Sequence, residues 1–256
     1  MLRVVGVVEE VISRLEVAGC VAADEEALDL VDAAPDAPTL EAWVQRREQG
    51  EPPAWIIGTT TFCGRALVVD PGVYVPRFQT EELATRASAV LPVGGRAVDL
   101  CTGSGAVAAH LRAMVPGVRV VGVDLDPRAV ANAQRNGVPA VVGDLVDVPL
   151  RARSFDVVTA VAPYVPTDDL GYLPVDVLRY EPRVALDGGD DGLALVRPVV
   201  AAAGRLLRPG GWLLTEVGGE QDSALGPAVA AAGFDSTTWW RDEDGDLRGV
   251  AAQLGS

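Results

Sequence analysis

The chain is poor in the groups on which much enzyme chemistry rests. It has one histidine and three cysteines among 256 residues, and only 5% of its residues are aromatic. Cys20, Cys63 and Cys101 lie far apart. No two have metal-ligand spacing, no metal site is expected, and an odd count argues against a disulfide framework. A reduced, cytoplasmic setting fits that usage. The lone histidine, His110, falls in "GAVAAHLRAM" and reads as a helix-surface residue rather than a catalyst. Positive charge is also scarce. Lys and Arg total 21 against 36 Asp and Glu, a formal net charge of -15. A nucleic-acid binder needs a basic field to displace counterions, so DNA or RNA is not the expected partner. The acidity reads as a solubility feature. Long apolar runs are missing too. The opening "MLRVVGVVEEVISRLEV" is broken by Glu9 and Glu10, too short for a signal-peptide core or a membrane span.

Hydrophobic residues make up 49% of the chain, enough for one sizeable core and a small accessory domain. Residues 1–53 read as a helical domain. Val8, Val11, Ile12 and Leu15 share a helix face, and Ala27, Leu28, Leu30 and Val31 continue the pattern. "PDAPTLEAWVQRREQGEPP" predicts a short helix with Thr39 as N-cap, ended by Gly50 and Pro52-Pro53. Residues 54–78 are rich in β-branched side chains, with Gly64-Arg65 and Pro71-Gly72 as turn signals, and predict a hairpin linker. Over residues 79–256 helices and strands alternate, which predicts a mostly parallel sheet covered on both faces. The end differs: "GGWLLTEVG", "DSTTWWR" and "RGVAAQL" are strand-like, and "DEDGD" joins the last two as an antiparallel edge hairpin. One of Trp239 and Trp240 should be core.

"VDLCTGSGAVA" is a strand running into a glycine loop that opens a helix. Gly103 and Gly105 let backbone pass close to a ligand. About twenty residues on, Asp124 ends "VVGVD", where a carboxylate can accept both hydroxyls of a ribose. The glycine spacing alone does not separate a dehydrogenase from a methyltransferase, and it also suits a plain tight turn. Three features favour S-adenosylmethionine (SAM). Asp99 precedes the loop, where it can meet an ammonium group and would repel pyrophosphate. Asp144, in "VVGDL", is placed to bond an adenine amino group. The C-terminal edge hairpin suits a class I methyltransferase. "DLDPRAV" adds a helix start with Asp126 as N-cap and Pro127 at the first helical position.

From about Pro53 onward the sequence resembles the HemK-type glutamine methyltransferases, which methylate a glutamine side-chain amide in translation release factors. The matching segments are "GRALVVDPGVYVPRFQTEEL", "DLCTGSGAVA", "GVDLDPRAVANAQRN", "APYVPTDDL", "YEPRVALDGGDDGL" and "LLRPGGWLLTEVG". The resemblance implies an α/β fold: a class I, Rossmann-like SAM domain behind a helical N-terminal domain and a hairpin. It implies SAM contacts at Cys101, Thr102, Gly103, Ser104 and Gly105, at Asp124 and Leu125, and at Asp144 and Leu145, with Asp99 beside them.

Two departures stand out. The N-terminal region is shorter than the family's, which makes a release factor the less expected partner. Val161 replaces the asparagine that holds the substrate amide in the family's Asn-Pro-Pro-Tyr turn. Valine neither donates nor accepts a hydrogen bond. An amide left unpaired there would cost about 1–3 kcal/mol. Val161, Ala162 and Pro163 instead offer an apolar wall beside Tyr164, with Phe78 expected at the site's mouth. That favours a small, flat acceptor, and family relatives in natural-product pathways methylate carbon 3 of indoles. Tyr164 and Glu181 are the candidates to orient the acceptor and manage its proton. The structural alternatives are a Glu181–Arg183 pair and Tyr164 as a packing ring. Asp168-Asp169 and Asp190-Asp191 read as solvated loop charges. The rival readings are a glutamine methyltransferase that tolerates valine and a SAM-binding protein without catalysis. No membrane partner is expected, and no pattern specifies an oligomeric state.

Overall fold

The computed structural model describes residues 2–256. Helices α1 (Leu2–Val17), α2 (Ala23–Ala33), α3 (Ala37–Glu48) and the short α4 (Pro53–Ile57) build the N-terminal unit. Their apolar faces meet around Val11, Leu15, Leu30, Val44 and Ile56. The cap of α3 is Asp36, not Thr39: its Oδ1 accepts the Thr39 N–H at 2.8 Å. An aspartate three residues before that amide reaches it as a side-chain cap, and Pro38 then lies inside the first turn. Residues 54–57, read from sequence as strand, are helical, because Pro53 starts a helical turn that left-handed Gly58 closes.

Strands β1 (Thr59–Phe62) and β2 (Arg65–Val68) form the hairpin, in register Phe62↔Arg65. The turn residues are therefore Cys63 and Gly64, at φ of 48° and 70°. Two positive φ values in a two-residue loop match the right-handed strand twist.

The main sheet has seven strands: β3 (Arg96–Leu100), β4 (Arg119–Asp124), β5 (Ala140–Val142), β6 (Phe155–Ala160), β7 (Leu207–Glu216), β8 (Phe234–Arg241) and β9 (Leu247–Leu254). Their order is β5-β4-β3-β6-β7-β9-β8. The first five run parallel, and β9 is antiparallel to both neighbours. This is the class I methyltransferase sheet with its antiparallel edge. Helices α5 (Thr80–Val90), α6 (Ala106–Met114) and α7 (Pro127–Arg135) cover one face. The other carries α9 (Val196–Leu206) and α10 (Gln221–Ala231), while α8 (Val175–Tyr180) lies in the long connection after β6. Every residue of β6 is buried, as expected of a central parallel strand. The chain winds outward from β3 through β4 and β5, then returns to β6 on the other side of β3. That reversal opens a crevice at the carboxyl ends of the strands, where such sheets bind ligands.

Trp240 is buried and Trp239 half-buried; Gly249 lies under the Trp240 ring, where any Cβ would collide with it. His110 is not a surface residue. It is only 6% exposed, near Arg65 and Glu81, and both ring nitrogens lack a hydrogen-bond partner. The hairpin and α5 cover a helix face that the local pattern left open.

Candidate active site

The glycine loop leaves β3 at Leu100 and turns through positive φ at Cys101 (54°), Gly103 (54°) and Gly105 (82°). The two glycines serve different ends. A Cβ on Gly103 would meet nothing, so that side faces open space. A Cβ on Gly105 would press on the Ala133 Cβ at 3.0 Å and Val138 at 3.2 Å. Gly105 therefore lets α6 approach α7, rather than letting backbone approach a ligand as its spacing implied.

Asp99 sits at the base of the loop, 2% exposed. Its Oδ2 accepts from the Thr102 hydroxyl at 2.6 Å and its Oδ1 from the Thr159 hydroxyl at 2.7 Å. Burial raises its pKa to about 6, against the pull of those two hydroxyls. Asp124 ends β4, and its oxygens accept the N–H groups of Gly103 and Asp126, each at 2.9 Å. Each oxygen keeps a second lone pair. Asp126 caps α7, accepting the Arg128 N–H at 2.8 Å, with Pro127 in the first turn. Asp144 follows β5, exposed, and accepts the Val146 N–H at 2.9 Å.

These groups surround a cavity of about 450 Å³. All the residues expected to hold the cofactor line it except Gly105. The donor set fits SAM: a buried carboxylate without a cation at one end, a strand-end carboxylate for hydroxyls, and an open polar rim at the other end. Apolar surface from Val107, Leu125 and Leu195 fills the sides. The size lies within the usual range for small-ligand sites.

A second cavity, of about 1010 Å³, abuts the first and shares Tyr74, Val161, Pro163 and Ala185 with it. Residues Val161, Ala162, Pro163 and Tyr164 leave β6 and form the wall between the two. Phe78 stands at the rim, 78% exposed. The N-terminal unit closes the far side through Cys20, Glu26, Arg47 and Gly50. Arg47, 4% exposed, holds the unit in place by binding Glu26 at 2.6 Å and Asp176 of α8 at 2.9 Å.

Two residues that sequence reasoning missed shape this cavity. Glu216, the last residue of β7, lies beside Tyr164 and Thr80, and its Oε1 is buried without a partner. Gln221 clamps the wall. Its Nε2 donates to the Tyr164 carbonyl at 2.9 Å and to that of Asp191 at 3.2 Å, while its Oε1 accepts the Gly218 N–H at 2.9 Å. Gly192 packs so close to the Tyr164 carbonyl that no Cβ fits. A carboxylate ending the apolar strand "WLLTE" is the same signal that marked Asp99 and Asp124, so Glu216 was open to detection. Gln221 carried no such signal.

Glu181 does not join Tyr164. It lines neither cavity, its side chain is 1% exposed, and it pairs with Arg77, whose guanidinium also lies 5.0 Å from the Tyr74 ring centre. Arg183 instead binds Asp187 at 3.0 Å. The ion-pair partner of Glu181 is therefore Arg77, not Arg183. Burial raises the pKa of Glu181, opposed by Arg77. Burial and then the charge of Glu216 push the Tyr164 phenol well above its ordinary value, so it stays protonated. Burial likewise pushes Tyr74 up to about 12. Asp168, Asp169, Asp190 and Asp191 are exposed, and Asp191 binds Arg197 at 2.6 Å.

A methyltransferase-domain family model matches residues 97–174, spanning the glycine loop, Asp124, Asp144 and the Val161 turn. A release factor glutamine methyltransferase of Geobacter sulfurreducens is 40% identical over 219 residues, covering 83% of this chain and 76% of that protein. The chain belongs to the HemK family of SAM-dependent methyltransferases. Another relative is the 4-amino-L-phenylalanine/4-methylamino-L-phenylalanine methyltransferase of Streptomyces pristinaespiralis, 36% identical over 218 residues, or 80% of this chain and 74% of that one. The fold is shared with a Thermus thermophilus 16S rRNA N2 G1207 methyltransferase solved with AdoMet and guanosine. That match has a TM-score of 0.54 at 21% identity, covering 77% of this chain and 44% of that one. This HemK-family protein is thus an enzyme that uses SAM, and the reading as a non-catalytic scaffold is set aside. Among the described residues, no helix is long and apolar enough to cross a membrane.

Proposed function

We propose that this methyltransferase acts on a small aromatic acceptor, of indole-like size and flatness, in specialised metabolism. Val161 carries the reading. It stands where the two cavities meet, so the acceptor atom must pass it to reach the methyl group. An amide at that point would face a side chain without a donor or acceptor. A flat ring would instead gain apolar contact with Val161 and Pro163. The Streptomyces relative is named for an aromatic amino acid, which supports the class of acceptor.

SAM supplies an already activated methyl group, so the protein's task is alignment and proton handling. On this reading Phe78 guards the entry and Val161, Ala162 and Pro163 hold the ring. Tyr164, protonated, donates rather than abstracts. Asp99, Asp124 and Asp144 hold the cofactor, with the loop from Cys101 to Ser104 as its cradle. We take residues 1–53, 54–78 and 79–256 as helical domain, linker and SAM domain, in a reduced cytoplasmic setting consistent with three free cysteines.

One observation favours glutamine methylation instead. The N-terminal unit walls a cavity larger than one ring needs, and many relatives are named for that activity. A competition separates the two. Labelled SAM is supplied with either an indole and aryl-amine panel or a release factor, and products are read by intact mass. We expect transfer to a ring and none to the release factor. Efficient methylation of the release factor, with every ring untouched, would overturn the proposal.

A further inference from the structure

Four carboxylates are buried among the described residues: Asp99, Asp156, Glu181 and Glu216. A buried carboxylate is costly unless a cation or hydrogen-bond donors compensate it. Asp156 has Arg208 and Glu181 has Arg77. Asp99 and Glu216 have no salt-bridge partner, and each lines one of the two ligand cavities. Asp99 faces the cavity whose cofactor carries an ammonium group. Glu216 stands in the equivalent position toward the acceptor.

Its placement follows from the sheet. Ala160 of β6 pairs with Thr215 of β7, so the next step along both strands sets Glu216 beside Val161. Both residues line the larger cavity. The hydroxyls of Thr80 and Tyr164, both uncharged, are the donors on its protein side. Arg248, the nearby cation, is held by Asp242 at 2.6 Å. The Oε1 atom is enclosed with no hydrogen-bond partner, and the side chain lines the acceptor cavity beside Val161, which lines both cavities. An unpaired buried acceptor of this kind selects a ligand that brings a donor.

We infer that Glu216 receives an N–H of the acceptor, so that the substrates are nitrogen-bearing aromatics rather than phenols, ethers or hydrocarbons. The inference rests on the small-aromatic reading for the ring and on Glu216 alone for the N–H. As the acceptor atom bonds to the methyl carbon, the carbon–sulfur bond breaks and its electron pair passes to sulfur. The acceptor gains positive charge, its N–H turns acidic, and the proton moves to a Glu216 oxygen. No further reactant is needed.

The test pairs indole with benzofuran, a ring of the same shape without the N–H. Calorimetry is run with S-adenosylhomocysteine at saturation. The unmodified enzyme should prefer indole by at least about tenfold, as a charge-assisted hydrogen bond contributes. Glu216→Leu should erase that preference while leaving S-adenosylhomocysteine affinity unchanged. Indole preference that survives in the leucine variant would overturn the inference. Should that variant lose S-adenosylhomocysteine binding and so prove misfolded, Glu216→Gln decides. It should slow methyl transfer roughly 10²-fold, and unimpaired transfer overturns the assignment. If the unmodified enzyme binds neither ring, the small-aromatic reading fails. The pair then becomes a glutamine peptide and its glutamate methyl ester analogue. The same loss of preference in Glu216→Leu supports the N–H role, and a retained preference refutes it.

Discussion

Binding of SAM should titrate with Asp99. The carboxyl is 2% exposed, and burial raises its pKa to about 6 in the free protein. An ammonium group is attracted to the ionised form and has nothing to gain from the neutral one. Affinity should therefore be flat above pH 6 and fall about tenfold per pH unit below it, since one pKa unit equals 1.36 kcal/mol. Folding responds in the opposite sense. The folded-state pKa lies above the unfolded value of 3.8, so this group's stabilising contribution is full below pH 3.8 and is lost as pH rises through 6. About two pKa units correspond to about 3 kcal/mol. Ligand and proton thus compete for one site. In Asp99→Asn the amide can keep both hydroxyl contacts but loses the charge. Its affinity at pH 7 should drop about 10- to 150-fold, the equivalent of 1.5–3 kcal/mol for a hydrogen bond to a charged group. Its pH slope should vanish. Calorimetry from pH 5 to 7, where the SAM amino group stays protonated, measures both. Equal slopes in the two proteins would refute the assignment of Asp99 to the ammonium.

Asp124→Ala should weaken SAM at least tenfold in the same assay, because it removes the acceptor for the ribose O–H groups, and the two backbone N–H groups it frees can donate but not accept. Gln221→Leu removes three hydrogen bonds around the Tyr164 turn, so kcat should fall at least tenfold while SAM affinity holds; thermal unfolding should come several degrees lower. The pKa of His110 is lowered by burial, so the unfolded chain protonates first. Stability should decline as pH falls through 6.5, and His110→Leu should flatten that decline in denaturant titrations.

Much of this protein is written in short segments. The run from β3 through the glycine loop into α6 needs only its own residues: an apolar strand, glycines where φ is positive, then helix formers. Asp126 and Pro127 start α7 by the same local logic, and the polar turn after Arg241 fixes the edge hairpin. Hence the fold class and the cofactor side were legible before any coordinates. The contacts that brace the acceptor side were not. Glu181 meets Arg77 across 104 residues, Gln221 reaches the Tyr164 carbonyl across 57, and Arg47 reaches Asp176 across 129. Local periodicity says nothing about such pairs, because strand order and helix docking choose them. His110 looked exposed for the same reason: a single helix does not reveal what covers it. Val161 could be read as a change of chemistry from sequence alone. Only the sheet, by setting β7 beside β6, decided that a carboxylate with a free oxygen stands next to it.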